Sequence, residues 1–348
     1  MGSRKTVTIN GLTIGGSAPV RVESMLKTPL SDLEGCQADA EALRKTGCEL
    51  ARVSLPELSL AGNLKKLVES SSLTLMADIH FNHKLALAAI DAGCRAVRIN
   101  PGNMSGAEGV REVVAAAKSS GVVIRIGANG GSLNNGQIEA AHGDRASALV
   151  RAVEEQLRIL TDAGFTNLIL SAKSSSVPET VKANCLLAQK YPFPFHIGIT
   201  EAGGGRSGVV KGAAGISALL LQGVGDTIRV SLTGPGTDEV RTGYDILRAL
   251  EIRSRGCNFI SCPTCGRRRI DVAVLSERVK ALLPEDLPDG LTIAVMGCEV
   301  NGPREAAGAD LGIAGTPEGF VMFKKGVAQF SGPLECLAAE LKKALNSL

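Results

Sequence analysis

The apolar positions of this chain gather into short, nearly continuous runs, each followed by a stretch in which Ala and Leu recur at helical spacing. The runs are VRVES, CELARVSLP, LTLMADIHF, CRAVRINPG, VVIRIGAN, NLILSAK, FHIGITE and DTIRVSLT. A rhythm of apolar strand followed by helix is that of a parallel α/β fold. Helical patterns lie between them, such as KLALAAIDAG after the third and GISALLLQG after the seventh. Eight strand–helix units in about 240 residues have the length and period of a (β/α)8 barrel rather than of a doubly wound sheet. Ahead of them, VTINGLTIGG carries an Asn10-Gly11 pair that predicts a tight hairpin.

From about residue 245 the rhythm breaks. A helix is predicted through VAVLSERVKALL, a strand at LTIAVMG, short strands near ADLGIAG, GFVMFKK and GVAQF, and a closing helix through LECLAAELKKALN. The predicted fold is therefore α/β: a TIM-type (β/α)8 barrel over residues 1–244 and a smaller α/β domain over residues 245–348. No repeat joins the two, and Pro235-Gly236 and Gly256 are the best punctuation between them.

Polar residues interrupt the apolar runs mainly at their C-terminal ends: Arg52, Asp78 with His80, Arg98 with Asn100, Arg125 with Asn129, Lys173, Glu201, and Arg229 with Ser231. In a TIM-type barrel those ends build the active site. One such residue can equally be a salt-bridge partner, but several guanidinium and ammonium groups converging on one mouth form an anion trap, and arginine forks match phosphate oxygens in pairs. The barrel is predicted to take a multiply phosphorylated small molecule. Gly203-Gly204-Gly205, ahead of a predicted helix, can offer backbone N–H groups to an anion, or can simply be a flexible loop.

At 348 residues with 44% hydrophobic residues, the chain can bury sizeable cores. Its 38 basic and 35 acidic residues leave a net charge of +3, and aromatics are 3% with no Trp, so nothing points to the clustered basic charge and stacking rings of a nucleic-acid surface. MGSRKTVTIN lacks the apolar core of a signal peptide, and no run is long enough to span a bilayer, so a cytoplasmic protein is expected. The loose fit of the same residues to a myristoylation pattern has no second lipid signal beside it.

Nine cysteines without a secretory signal argue against a disulfide framework. Cys36, Cys48, Cys94, Cys185 and Cys336 fall in helical or strand patterns and are expected to be structural thiols. The chemistry concentrates elsewhere: Cys262 and Cys265 in CPTC, then Cys298 in MGCEVNGPRE, which ends on Glu305. Three thiolates and a carboxylate suit an iron–sulfur cluster with one weakly ligated iron. Two other readings stay open at this level. Cys257 can complete a four-cysteine zinc site, and Glu305 can be an acidic residue placed by a helix macrodipole. Pro263, Gly266, Gly297 and Gly302-Pro303 stiffen or open the backbone around the candidate ligands.

At CPTCGRRRIDV and MGCEVNGPREA the sequence resembles the bacterial 4-hydroxy-3-methylbut-2-enyl diphosphate synthase family of the methylerythritol phosphate route to isoprenoids. ADIHF, RINPGN, RIGANGGSL, HIGITEAG, GDTIRVSLT, GIAG and FKKG resemble family segments in family order, so the resemblance spans nearly the whole chain. It implies a 4Fe-4S cluster held by Cys262, Cys265, Cys298 and Glu305, and a diphosphate held by Arg52, Arg98, Arg125, Asn129, Lys173 and Ser231. It gives Glu201 an acid–base role and makes Glu305 a labile ligand that can give way to substrate. It further implies flavodoxin or ferredoxin as electron donor, and a homodimer whose active site is shared between subunits. The chain departs from the family at Arg304, where a glycine is usual, and at Arg268-Arg269, where Thr-Glu is usual. Two rivals are a barrel lyase using a Lys173 Schiff base with structural zinc, and an electron carrier whose barrel provides only bulk.

Overall fold

A computed structural model of the chain describes residues 3–80, 82–100, 106–284, 287–298 and 306–347. The described residues form two compact units, 1–253 and 254–348.

The first unit opens with strands β1 (Thr6–Ile9) and β2 (Leu12–Gly15), paired antiparallel through a turn in which Asn10 and Gly11 both take positive φ, +48° and +81°. These are the angles of the hairpin turn the Asn-Gly pair predicts. There follow β3 (Arg21–Met25), α1 (Leu33–Thr46), β4 (Leu50–Ser54), α2 (Ala61–Ser70), β5 (Thr74–Asp78), α3 (His83–Asp91), β6 (Ala96–Ile99), α4 (Gly106–Ser120), β7 (Val123–Asn129), α5 (Asn135–Ala140), α6 (Arg145–Asp162), β8 (Leu168–Lys173), α7 (Val177–Lys190), β9 (His196–Ile197), α8 (Gly205–Leu220), β10 (Thr227–Ile228) and α9 (Gly236–Ala249).

Strands β3 to β10 pair in parallel in the order β8-β7-β6-β5-β4-β3-β10-β9, and a bridge between Leu170 and Phe195 brings β8 beside β9. The result is the nearly closed eight-stranded barrel expected from the apolar runs. The outer faces of the strands and the inner faces of the helices share one core. The hairpin floors the barrel: Val7, Ile9 and Ile14 pack on Leu50, Met76, Ala96, Val123 and Ile169, which lie toward the N-terminal ends of their strands. The opposite, C-terminal ends are left to polar side chains. Helix starts are fixed locally, Asp32, Asn82, Asp144 and Ser176 each accepting a hydrogen bond from a first-turn N–H. Helix α9 runs through residue 244 and ends at Ala249.

The second unit is a five-stranded sheet in the order β11 (Asn258–Ser261), β12 (Thr292–Met296), β13 (Leu311–Thr316), β14 (Gly319–Lys324), β15 (Val327–Gly332). The first three strands are parallel and the last three antiparallel. Helices α10 (Val272–Leu282) and α11 (Leu337–Leu345) cover one face, with Leu275, Val279, Leu337 and Leu341 packed on Ile293, Val295, Ile313 and Phe320. Strand β11 is absent from the sequence reading; its NFIS segment is half-exposed and does not alternate, so only pairing with β12 reveals it.

Candidate functional sites

At the C-terminal ends of the barrel strands lies a polar cavity of about 190 Å³, lined among others by Arg52, Asp78, His80, Arg98, Arg125, Asn129, Ser171, Lys173, His196, Thr200, Arg229 and Ser231. All six residues predicted to hold a diphosphate are there. Glu201 does not line it; it sits on the loop beyond β9, exposed, with φ +51°. A larger cavity of about 490 Å³ opens among Ser3, Tyr191, Phe195 and Asp226, toward the N-terminal ends of the strands, but no comparable set of cationic groups converges on it. The smaller cavity is the better candidate on chemistry.

Backbone geometry makes the room. Gly127 in β7 faces Ser171 so closely that a Cβ would lie 2.4 Å from the Ser171 carbonyl oxygen, and at Gly198 one would lie 2.4 Å from the Arg229 carbonyl. The N–H of Gly127 donates to Gln156 Oε1 at 3.2 Å and its carbonyl accepts from Gln156 Nε2 at 3.3 Å, tying β7 to α6.

Carboxylates beneath the cavity hold its cations in place. Glu23, fully buried on β3, accepts from Arg125 Nη1 at 2.7 and 2.6 Å. Glu239, fully buried in the first turn of α9, meets Arg229 at 3.1 and 3.2 Å and Lys27 at 2.7 Å. Asp78 lies 3.2 Å from both Arg52 Nε and Arg98 Nη1. Neither Glu23 nor Glu239 was singled out in the sequence. Five basic side chains, Arg52, Arg98, Arg125, Lys173 and Arg229, thus stand against three carboxylates. Burial pulls the Arg52 guanidinium down to about 10, despite Asp78.

Two buried guanidinium nitrogens, Arg52 Nε and Arg125 Nη2, have no hydrogen-bond partner among the described residues. For Arg52 the Asp78 oxygen is close but lacks hydrogen-bond geometry. Buried unsatisfied donors on a charged group are costly, and a bound anion would satisfy them.

Burial, the largest influence on Asp78, raises its pKa, but His80 and the charges of Arg52 and Arg98 outweigh it and hold the carboxyl well below the usual range. A depressed carboxylate stabilises the fold fully above its unfolded pKa of about 3.9 and loses that contribution as pH falls toward the folded value. Asp78→Asn should therefore be less stable at neutral pH and show a shallower loss of stability below about pH 4. Urea midpoints across an acid series measure this; parallel curves for the two proteins would rule out Asp78 as the titrating group.

The cysteines form a second site. Strands β11 and β12 are adjacent and parallel, with Ser261 opposite Val295, so Cys262 and Cys298 leave the same edge of the sheet. Cys262, Cys265 and Cys298 line one cavity of about 220 Å³ with Pro263, Thr264, Arg267, Arg268, Met296 and Gly297. The Gly297 N–H donates to Cys262 Sγ at 3.2 Å, a contact of the kind that backbone amides make to cluster-ligating sulfur. A Cβ on Gly297 would lie 2.6 Å from Val272 Cγ2, so only glycine brings the N–H in. Thr264, between the first two cysteines, holds φ +64°, a strained conformation for a β-branched residue.

This donor set fits a cluster. Among the described residues no three His, Cys, Asp or Glu gather as a metal ion would require, whereas the three thiols wall a cavity. Cys257 does not line that cavity. It precedes β11 while Cys262 follows it, and an extended strand of that length separates them by roughly 15 Å. The four-cysteine zinc alternative fails on that distance. Arg304 and Glu305 lie outside the described residues. Of the thiols expected to be structural, Cys36, Cys48 and Cys94 are buried while Cys185 and Cys336 are half-buried. Burial pushes Cys48 and Cys94 up to about 12.

Comparison with known proteins covers both units. Residues 4–244 match the GcpE TIM-barrel domain and residues 258–347 the GcpE protein C-terminal domain. A 4-hydroxy-3-methylbut-2-en-1-yl diphosphate synthase (flavodoxin) from Natranaerobius thermophilus is 43% identical, over 98% of this chain and 95% of its own. The enzyme of the same name from Caldanaerobacter subterraneus subsp. tengcongensis is 42% identical, over 99% of this chain and 97% of its own. Among solved structures, a Yersinia pestis dihydropteroate synthase aligns with a TM-score of 0.51 at 11% identity, over 71% of this chain and 99% of that one. At such identity the likeness concerns the barrel fold alone.

Proposed function

The chain belongs to the GcpE family, and we propose that it converts 2-C-methyl-D-erythritol 2,4-cyclodiphosphate to 4-hydroxy-3-methylbut-2-enyl diphosphate, by two-electron reductive ring opening and dehydroxylation in isoprenoid precursor synthesis. The observation that carries this reading is the cationic cavity at the barrel mouth with its two unsatisfied guanidinium nitrogens.

In this reading the barrel binds the diphosphate and the second unit holds the cluster. Arg52, Arg98, Arg125 and Lys173 take the phosphate oxygens, with Asn129 and Ser231 supplying neutral donors. Fixed by carboxylates below, the guanidiniums need no reorganisation when charge shifts onto the departing phosphate oxygen. Glu201 moves a proton at the carbon skeleton. It stands on the loop beyond β9, outside the cavity lining, and acts from there. Cys262, Cys265, Cys298 and Glu305 would hold a 4Fe-4S cluster, which supplies electrons one at a time when bound. Flavodoxin, which the relatives' names carry, or a ferredoxin is the donor. The working unit is a homodimer sharing its active site between subunits, in the cytoplasm; no helix among the described residues is long and apolar enough to cross a membrane.

Anaerobic purification followed by iron and sulfide analysis and assay with the cyclic diphosphate and a strong reductant tests the reading. Brown protein with turnover is expected. Colourless protein carrying zinc, or brown protein that leaves the cyclic diphosphate unchanged, would overturn it.

A further inference from the structure

Lys173 has unusual surroundings for an ammonium ion. Its Nζ lies 2.7 Å from His196 Nε2, and among the described residues it makes no ion pair with a carboxylate. Glu23, the carboxylate that acts on it, is engaged by Arg125 at 2.6 and 2.7 Å and by His196 Nδ1 at 3.3 Å. The other charged groups around the cavity are Arg52 on β4, Arg98 on β6, Arg125 on β7 and Arg229 after β10. Asp78 at the end of β5 is taken by Arg52 and Arg98, with His80 beside it, and Glu239 on α9 is taken by Arg229 and Lys27. A buried ammonium here would face guanidiniums without an anion of its own.

Burial first, and then Arg125, Arg52 and Arg229, hold the Lys173 amine well below the usual lysine range. His196 is held low by burial and the same cations. With Lys173 donating to Nε2, the imidazole carries its hydrogen on Nδ1, toward Thr227 Oγ1 at 2.7 Å and Glu23.

We propose that entry of the cyclic diphosphate draws one proton onto Lys173, and that His196, anchored by Glu23 and Thr227, is the positioning residue that holds the amine in place for it. The inference rests on the functional reading above. The proton comes from solvent and no other bond is made or broken. Once a dianion occupies the cavity, the charge that repelled a proton from the amine is compensated and the ammonium becomes the favoured form. The free pocket thereby avoids a further uncompensated charge. The sign follows from linkage: as pH rises through the amine's free-state pKa, binding must take up a proton, and affinity falls by up to about tenfold per pH unit until the bound-state pKa is passed.

The test is calorimetric titration of the anaerobic, oxidised enzyme with the cyclic diphosphate, without reductant so that no turnover occurs, in buffers of different ionisation enthalpy. Both phosphates of this ligand are already esterified, so it lacks the second ionisation that a phosphomonoester has at about pH 6. About one proton taken up per ligand is expected, disappearing in Lys173→Arg, whose guanidinium stays charged. His196→Leu should move the uptake to lower pH, and His196→Gln, which restores an acceptor, should move it back. Binding of the wild type without proton uptake overturns the inference and leaves the functional reading intact, as does uptake that persists in Lys173→Arg. Failure to bind the cyclic diphosphate at any pH overturns both.

Discussion

Replacing Arg125 with methionine should lower the unfolding free energy by about 3–5 kcal/mol, the cost of leaving a buried carboxylate without its partner. Glu23 is fully buried, and its two oxygens accept from one Arg125 nitrogen at 2.7 and 2.6 Å, so nothing polar of comparable charge replaces that contact. Methionine keeps much of the length and none of the charge. Substrate affinity should fall as well, because the Nη2 of Arg125, without a hydrogen-bond partner among the described residues, is the donor left for a phosphate oxygen; losing a charge-assisted bond of about 1.5–3 kcal/mol is a tenfold effect or more. The double variant Arg125→Met with Glu23→Gln separates the two roles. It removes the stranded charge while keeping an oxygen near His196, so denaturant unfolding should recover most of the lost stability, but binding of the cyclic diphosphate should stay weak. If the double variant regains affinity along with stability, Arg125 serves the fold and not the ligand.

Cys298→Ser should reduce bound iron to near none and abolish turnover while leaving the barrel folded. The thiol is buried where the chain leaves β12, in the cavity it shares with Cys262 and Cys265, and serine fills its volume with a far poorer iron ligand. The barrel should not register the change, because its core is built only from residues of the first unit. Iron analysis, visible absorbance and a circular dichroism melt read the three expectations separately. Full iron content with full activity would remove Cys298 from the ligand set; loss of the barrel's own transition would show that iron loss is a folding defect.

The sequence by itself determined the strand–helix rhythm, the hairpin at Asn10-Gly11, and the set of basic and polar residues at the strand ends. These signals are local: apolar runs, a turn dipeptide and a residue's place within a run depend on a few neighbours in the chain. The cysteine spacing was legible for the same reason, and its likeness to known segments gave the reaction. The second layer of the barrel site was decided only by closure. Glu23 and Arg125 stand 102 residues apart, and the barrel carries them to one ion pair. Glu239 reads in sequence as an acidic residue in a first helical turn, favourable there for its dipole alone, until the fold sets it under Arg229 and Lys27. His196 in FHIGITE looks like one polar residue in a strand; pairing of β9 with β10 puts it between Thr227 and Lys173. Likewise, nothing near Cys257 in the sequence excludes it from the cysteine site; the extended strand that separates it from Cys262 does. Each of these depends on which distant groups share a buried, low-dielectric space, and local pattern carries no information about that until the sheet closes.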